Sequence, residues 1–271
     1  MEYDILFSDY DNTLYGEDKT VSEKTKNYIR RYTENGGIFV ISTGRIYGSI
    51  RNIALELGLN GDIICSQGSE IYSLAEDKNI YTYPLIKPKA VQIMQFALDN
   101  GCVPQFYFDN KIYLTDNDEI NGFYRDFFKA ELVENDDIME CVKADNIKPN
   151  KIEIVTPAES MNNVIKSLEV RFPEFLFSKS APFMIEVVDR NATKGRAVRY
   201  LLDKYNIPIE RAAAIGDGNN DIDMIEAAGL GVAVKNSARR LLSVADYICK
   251  DAGGDGVGEI IEKLLSNTPI K

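Results

Sequence analysis

Hydrophobic and polar positions along the 271-residue chain follow two rhythms. In the first third, near-continuous apolar runs alternate with segments of helical periodicity. "YDILFSDYD" reads as a strand, "SEKTKNYIRRYTENGG" as a helix, "IFVIST" as a second strand, "GRIYGSIRNIALELG" as a second helix and "DIICS" as a third strand. Runs that are apolar throughout, instead of alternating, suit strands buried on both faces of a parallel sheet. Ser22 is placed to cap the first helix, with Thr20 and Glu23 offering a rival capping box, and Gly36 and Gly37 stop it. Strand, helix and strand in succession predict a doubly wound α/β core.

The pattern changes near Pro84. "IYSLAEDKNIYTYP" reads as a hairpin followed by a linker, "KAVQIMQFALDNG" as a helix, and "VPQFYFDNKIYLTD" as a hairpin turned at Asp109-Asn110. "KIEIV" and "FMIEVVD" read as strands with the helix "AESMNNVIKSLEVRF" between them. The aromatic run "QFYFDNKIYL" reads as sheet packing. The βα rhythm then resumes, with the helix "TKGRAVRYLLDKYN", the strand "AAAIGD", the helix "NNDIDMIEAAG", the strand "LGVAVK" and the helix "DGVGEIIEKLL". The expected organisation is one α/β core from residues 1–83 and 190–271, interrupted by an inserted α+β domain at residues 84–189, with hinges near Pro84 and Asp189. No internal repeat or low-complexity tract is visible.

Composition narrows the function. With 45% hydrophobic and 27% charged residues the chain can bury a sizeable core. Its 31 basic and 42 acidic residues give a net charge of −11, which argues against nucleic acid or an anionic membrane as partner. A small anionic substrate stays open, because a local site can be positive inside a negative protein. No stretch approaches the roughly 20 apolar residues of a membrane span. The acidic N-terminus "MEYDILFSDYD" has no signal-peptide pattern. Cys65, Cys102, Cys141 and Cys249 are scattered without a C-x-x-C pair, so neither a zinc site nor a disulfide framework is expected, and the reading is a cytoplasmic protein. There is no histidine. That excludes Ser-His-Asp triads, Cys-His dyads and histidine-ligated zinc, and leaves carboxylates, lysine, hydroxyls and a hard metal to do any chemistry. Oligomeric state leaves no mark on the sequence.

Four strand-to-helix junctions carry such groups, and in open α/β sheets ligands bind outside the carboxyl ends of the strands. Asp9 and Asp11 follow the first strand, in "DYDNT"; an Asx-turn at a solvated strand end would also explain them. Ser42-Thr43-Gly44-Arg45 follows the second strand, where an anion could meet hydroxyl and backbone N–H groups or where a plain cap could stand. Lys194 opens a helix, against the helix dipole unless an anion is near, and reads otherwise as a surface lysine. Gly216-Asp217-Gly218-Asn219-Asn220-Asp221 ends a strand and enters a helix, where acids also serve as simple caps. Taken together, carboxylates converging on one sheet edge need a cation, and oxygen ligands alone point to Mg2+. Hydroxyl, backbone N–H and lysine beside it would hold a phosphoryl group. One carboxylate can then act as nucleophile and a second, two residues on, as general acid and base.

These residues resemble the haloacid dehalogenase superfamily of phosphotransferases. "DYDNTL" is similar to its first motif D-x-D-x-T-L, "STGR" to the second, Lys194 to the third and "GDGNND" to the fourth, in family order across nearly the whole chain. The insertion between the second and third motifs is similar to the large cap of the Cof-type branch, mostly Mg2+-dependent phosphatases of sugar phosphates and other small phosphorylated metabolites. The resemblance implies Asp9 as nucleophile and metal ligand, and Asp11 as general acid/base whose backbone carbonyl binds Mg2+. It implies Thr43 and the Gly44 N–H on the phosphoryl oxygens, Lys194 neutralising charge, Asn220 on the phosphoryl group, and Asp217 completing the metal site with Asp221 in support. An acid at position 11 favours phosphoryl chemistry over dehalogenation. The cap would exclude water and read the leaving group, with Arg45, Tyr47, Gln105, Tyr107 and Lys151 as candidate readers, each equally readable as ordinary surface or core. Where the branch often shows an Asn-Gly-Ala-like turn, this chain has Ser66-Gln67-Gly68-Ser69, whose Gln67 offers an amide of longer reach. The function implied is a Mg2+-dependent phosphatase of small phosphorylated metabolites working through an aspartyl-phosphate. A phosphomutase on the same core and a non-catalytic phosphometabolite-binding module are the alternatives.

Overall fold

The computed structural model describes residues 2–16, 20–115, 121–122, 124–125, 131–266 and 270. Their contacts divide the chain into two units, one of residues 1–44, 50–80 and 193–271, the other of residues 45–49 and 81–192.

The first unit opens with the apolar runs that the sequence singles out: β1 (Ile5–Asp9), β2 (Ile38–Ser42) and β3 (Asp62–Cys65), followed by β4 (Glu70–Ser73) and β5 (Lys78–Thr82). The next six strands belong to the second unit. After them the chain returns with β12 (Ala212–Gly216), β13 (Leu230–Ala233) and β14 (Tyr247–Ile248). The eight strands form one sheet in the order β14-β13-β12-β1-β2-β3-β4-β5. Pairing is parallel from β14 to β3 and turns antiparallel at β4. The hairpin read from "IYSLAEDKNIYTYP" is thus present, and it extends the parallel sheet as an antiparallel edge. All five residues of β1 are buried, as a central parallel strand demands.

From β1 the chain steps to β2 on one side, and β12 lies on the other. The sheet therefore changes winding direction beside β1, the point at which ligands bind outside the carboxyl ends of the strands in open α/β sheets. The register Ser8↔Ile215 places Asp9 beside Gly216, with Asp217 one residue on. Local caps hold the helices that frame this edge. Ser22 caps the helix Glu23–Glu34 by accepting from the Thr25 N–H at 3.2 Å, which decides between the two caps the sequence offered, and Gly36 turns the chain away at φ 86°. Thr193 caps the helix Lys194–Tyr205 by accepting from the Arg196 N–H at 3.2 Å.

The second unit holds β6 (Val103–Phe108), β7 (Lys111–Leu114), β8 (Glu131–Glu134), β9 (Lys151–Val155), β10 (Phe175–Ala181) and β11 (Met184–Asp189), in the sheet order β10-β11-β9-β6-β7-β8. The β6–β7 turn is the expected two-residue Asp109-Asn110, both in the left-handed region at φ 52° and 60°. The last residue of that expected hairpin stretch, Asp116, lies outside the described residues. Strand packing of the aromatic run is borne out: Phe106 and Tyr113 stack with ring centroids 4.6 Å apart. Two strands of this unit are not legible in the sequence, as the short β14 of the first unit is not. β10 pairs with β11 in a hairpin, but "FLFSKSA" has neither a continuous apolar run nor clean alternation. β8 is a four-residue strand with glutamate at each end, paired parallel to β7.

Alternation along the second sheet separates two environments. Phe106, Ile152, Ile154, Ile185 and Val187 join a core with the helices Lys87–Asp99 and Met161–Arg171. The opposite alternation brings Gln105, Glu153 and Glu186 side by side on β6, β9 and β11, with Tyr107 beside Lys151. All five are buried. Two neighbouring buried glutamates need a cation, and Lys151 supplies it: Nζ lies 2.8 Å from Glu153 Oε1 and 2.6 Å from Glu186 Oε1. Tyr107 and Tyr124 donate to Glu153 Oε2, each at 2.7 Å. Burial by itself pushes the Lys151 ammonium's pKa down; the two carboxylates outweigh it and hold it above its ordinary value. Gln105, Tyr107 and Lys151, considered from the sequence as substrate readers, are therefore engaged with partners inside their own unit.

Removing the cation should show this dependence. Lys151→Met leaves Glu153 and Glu186 buried without a counter-charge and should cost about 3–5 kcal/mol of stability, read as a lowered urea midpoint. A loss below about 1 kcal/mol would mean that the tyrosine hydroxyls alone sustain the pair.

Candidate functional site

The carboxyl edge of the first sheet gathers groups that are far apart in sequence. Asp9 ends β1 with 5% of its surface exposed, and Lys194, the first residue of its helix, has 1%. Lys194 Nζ lies 2.6 Å from Asp9 Oδ1 and 2.6 Å from Asp221 Oδ1. Asp221 uses its other oxygen to accept the Asp217 N–H at 3.1 Å and the Gly218 N–H at 2.9 Å, which ties down the loop after β12. Thr13 donates to Asp217 Oδ1 at 2.7 Å. The Gly195 N–H donates to Asp223 Oδ2 at 2.8 Å, fixing the first turn that carries Lys194.

Asp9, Asp217 and Asp221 bring one carboxylate oxygen each within 4.8 Å of one another. Three carboxylates face one ammonium, so the cluster keeps an excess of negative charge in a buried place. Burial pushes the Asp9 carboxyl up to about 8; the Lys194 charge opposes this, while Asp221 and Asp217 add to it. Asp217 is raised by burial as well, with the Thr13 hydrogen bond working against the rise. Lys194 is lowered by burial, but the Asp221 and Asp9 charges carry it above its ordinary value. A proton held that high on Asp9 marks a place where positive charge is wanted. The donors are carboxylate oxygens, without nitrogen or sulfur, and so fit a hard divalent cation.

The remaining residues singled out from the sequence fall as follows. Thr43 is buried just past β2, its N–H donating to the Ile64 carbonyl at 2.9 Å. The next helix starts only at Tyr47, so Thr43 and Gly44 sit in the connecting loop and not in a helical first turn. Asn220 stands in the short turn Asn219–Asp221. Asp11 is half-buried in a tight turn, where the Asn12 N–H donates to the Tyr15 carbonyl at 2.8 Å, and its carboxylate is not one of the three that converge. Arg45 and Tyr47 belong to the second unit, where the neighbouring Gly48 N–H donates to Asn110 Oδ1 at 2.6 Å. Thr13 and Asp223 were given no role from the sequence. The signals available were the threonine of the D-x-D-x-T-L motif at Thr13 and a second acid two residues past Asp221. Among the described residues, no helix is long and apolar enough to cross a membrane.

Comparison with known proteins agrees with this geometry. Residues 6–261 match the family of haloacid dehalogenase-like hydrolases. A 5-amino-6-(5-phospho-D-ribitylamino)uracil phosphatase of Bacillus subtilis is 29% identical over 260 residues, covering 95% of this chain and 94% of its own. A second Bacillus subtilis phosphatase is 27% identical over 286 residues, covering 96% and 99%. The crystal structure of a haloacid dehalogenase-like hydrolase from Bacteroides thetaiotaomicron superposes with a TM-score of 0.85 at 27% identity, covering 97% of this chain and 99% of that one. With four motifs at one sheet edge and a match along nearly its whole length, the chain belongs to the haloacid dehalogenase-like hydrolases.

Proposed function

We propose that the protein is a Mg2+-dependent phosphatase of small phosphorylated metabolites, sugar phosphates first among them, acting through an aspartyl-phosphate on Asp9. The observation that carries this reading is the Asp9 carboxylate, fixed by Lys194 at the carboxyl edge of β1 within a group of acids that exceeds its local positive charge. The relative named for a phosphorylated ribitylamino-uracil supports a polyol- or sugar-phosphate substrate. Four unpaired cysteines support a reducing compartment, the cytoplasm.

In this reading, Lys194 holds one Asp9 oxygen and leaves the other to attack phosphorus. The new bond joins that oxygen to phosphorus as the bond to the leaving oxygen breaks, and Asp11 gives the leaving oxygen its proton. Asp11 then takes a proton from water, whose oxygen attacks the same phosphorus and releases Asp9 and phosphate. Thr43, Gly44, Lys194 and Asn220 hold the phosphoryl oxygens. Asp9, the Asp11 backbone carbonyl and Asp217 would hold Mg2+, with Asp221 behind them; when bound, the ion neutralises charge on the carboxylates and the phosphoryl oxygens.

Phosphate release from a panel of phosphorylated metabolites should require Mg2+ and stop with chelator. Asp9→Asn should lower it by on the order of 10⁴-fold or more. Release that survives Asp9→Asn would remove the covalent step from the mechanism.

Metal and proton compete for the same carboxyl. Because folding raises the Asp9 pKa from 3.8 to about 8, its contribution to the stability of the metal-free protein is complete below about 3.8 and is lost as pH rises through about 8. The rise in thermal midpoint on adding Mg2+ should therefore be larger at pH 8 than at pH 6. An equal rise at both pH values would show that the ion does not displace a proton from this group.

A further inference from the structure

Among the described residues of the first unit, the turn after β3 is the one place where three consecutive residues have positive φ. Ser66, Gln67 and Gly68 have φ of 50°, 60° and 97°, three successive residues in the left-handed region. For Gly68 this is ordinary, and a methyl group there would collide with the Thr193 carbonyl and the Lys194 backbone nitrogen. Ser66 and Gln67 accept a conformation that such residues seldom adopt. The turn is pinned to the second motif, since the Gln67 N–H donates to the Thr43 carbonyl at 3.1 Å.

That backbone aims the Gln67 side chain across the site. Its Nε2 lies 2.5 Å from where a Cβ would stand on Gly44, so the amide packs directly over that glycine and a methyl group there would displace it. Its Oε1 accepts from Asn220 Nδ2 at 3.2 Å. One side chain thus spans the two phosphoryl-holding segments proposed above. An amide whose oxygen is taken by Asn220 presents its NH2 on the other side, next to Gly44. Among the described residues, no hydrogen bond runs from Gln67 Nε2 to a protein acceptor. Two oriented donors without a protein acceptor, beside a proposed oxyanion loop, are what a phosphoryl oxygen requires.

We propose that Gln67 completes the phosphoryl cradle: Nε2–H donates to the phosphoryl oxygen held at Thr43 and Gly44, while Oε1 keeps Asn220 turned toward the same group. The proposal rests on the phosphatase reading for its ester substrate, and inorganic phosphate is enough to test it. Two variants separate the donor from the backbone. Gln67→Glu keeps the shape and an oxygen for Asn220 but replaces the donor with negative charge. Gln67→Gly removes the side chain where glycine is the favoured residue, so the fold should be kept or gain in thermal midpoint.

Titration of the Mg2+-loaded protein with inorganic phosphate by calorimetry should show affinity about 10- to 100-fold weaker in Gln67→Gly, as for loss of one hydrogen bond to a charged group. Gln67→Glu should be weaker still. With a hydrolysed ester, KM should rise in the same order as phosphate affinity falls. Phosphate affinity in Gln67→Gly within about two-fold of wild type would overturn the proposal, and so would a wild-type protein that binds no phosphate. The phosphatase reading is decided separately: a wild type that binds phosphate but releases none from any ester sinks that reading, and the comparison of phosphate affinities still decides the role of Gln67.

Discussion

The Lys194 ammonium, held between Asp9 and Asp221, is the interaction on which the first unit's edge depends. It joins residues 185 and 27 positions away and is itself almost wholly buried. An ammonium withdrawn from water is tolerable only while its carboxylate partners stay in place, and each carboxylate is tolerable only while the ammonium does. The loops that carry these groups are therefore not independent. Asp221 extends the constraint by accepting two backbone N–H groups from the loop after β12, so Lys194 also fixes where Asp217 stands. Asp223 does the same for the helix start that presents Lys194.

The sheet makes this arrangement possible at one place only. β1 is flanked by parallel strands on both sides, and the winding reverses next to it. The two inner strands end level with each other, which brings acids from opposite ends of the chain into contact without any long excursion of either loop. The second unit, inserted within the chain, does not disturb this register, because the strands it separates still pair in the core.

Much of this is legible in the sequence alone. Central parallel strands betray themselves as unbroken apolar runs, so β1, β2, β12 and β13 were readable, and the polar residues that end β1, β2 and β12 pointed to the edge where chemistry would gather. The β6–β7 turn was readable because Asp109-Asn110 suits a two-residue hairpin and little else. What stayed hidden depended on pairing. β8 and β10 lack a decisive local period, and only their neighbours make them strands. The same holds for side-chain partners: nothing local says that Thr13 meets Asp217 or that Gln67 reaches Asn220, since sheet order and turn geometry decide both. The half-buried Asp11, whose carboxylate stands apart from the three that converge, shows the reverse case, in which a motif was plain and the placement was not.

The two buried lysines separate an acid cluster whose charge is met inside the fold from one whose charge is not. Lys151 and Lys194 each lie between two carboxylates at 2.6–2.8 Å, and each unit buries more acid than base at that point. Around Lys151 the surplus is absorbed by neutral donors, because Glu153 takes two tyrosine hydroxyls on one oxygen. A carboxylate satisfied in that way has no remaining use for a proton or an external cation. Around Lys194, Asp221 is satisfied by backbone N–H groups and Asp217 takes the Thr13 hydroxyl, but Asp9 has Lys194 on one oxygen and further acids pressed against it. The shortage of positive charge thereby falls most heavily on Asp9, with Asp217 sharing it to a lesser degree. A fold that needed only stability would have spread that shortage over neutral donors, as the second unit does; leaving it on Asp9 is intelligible when that group must bind a cation and attack an electrophile.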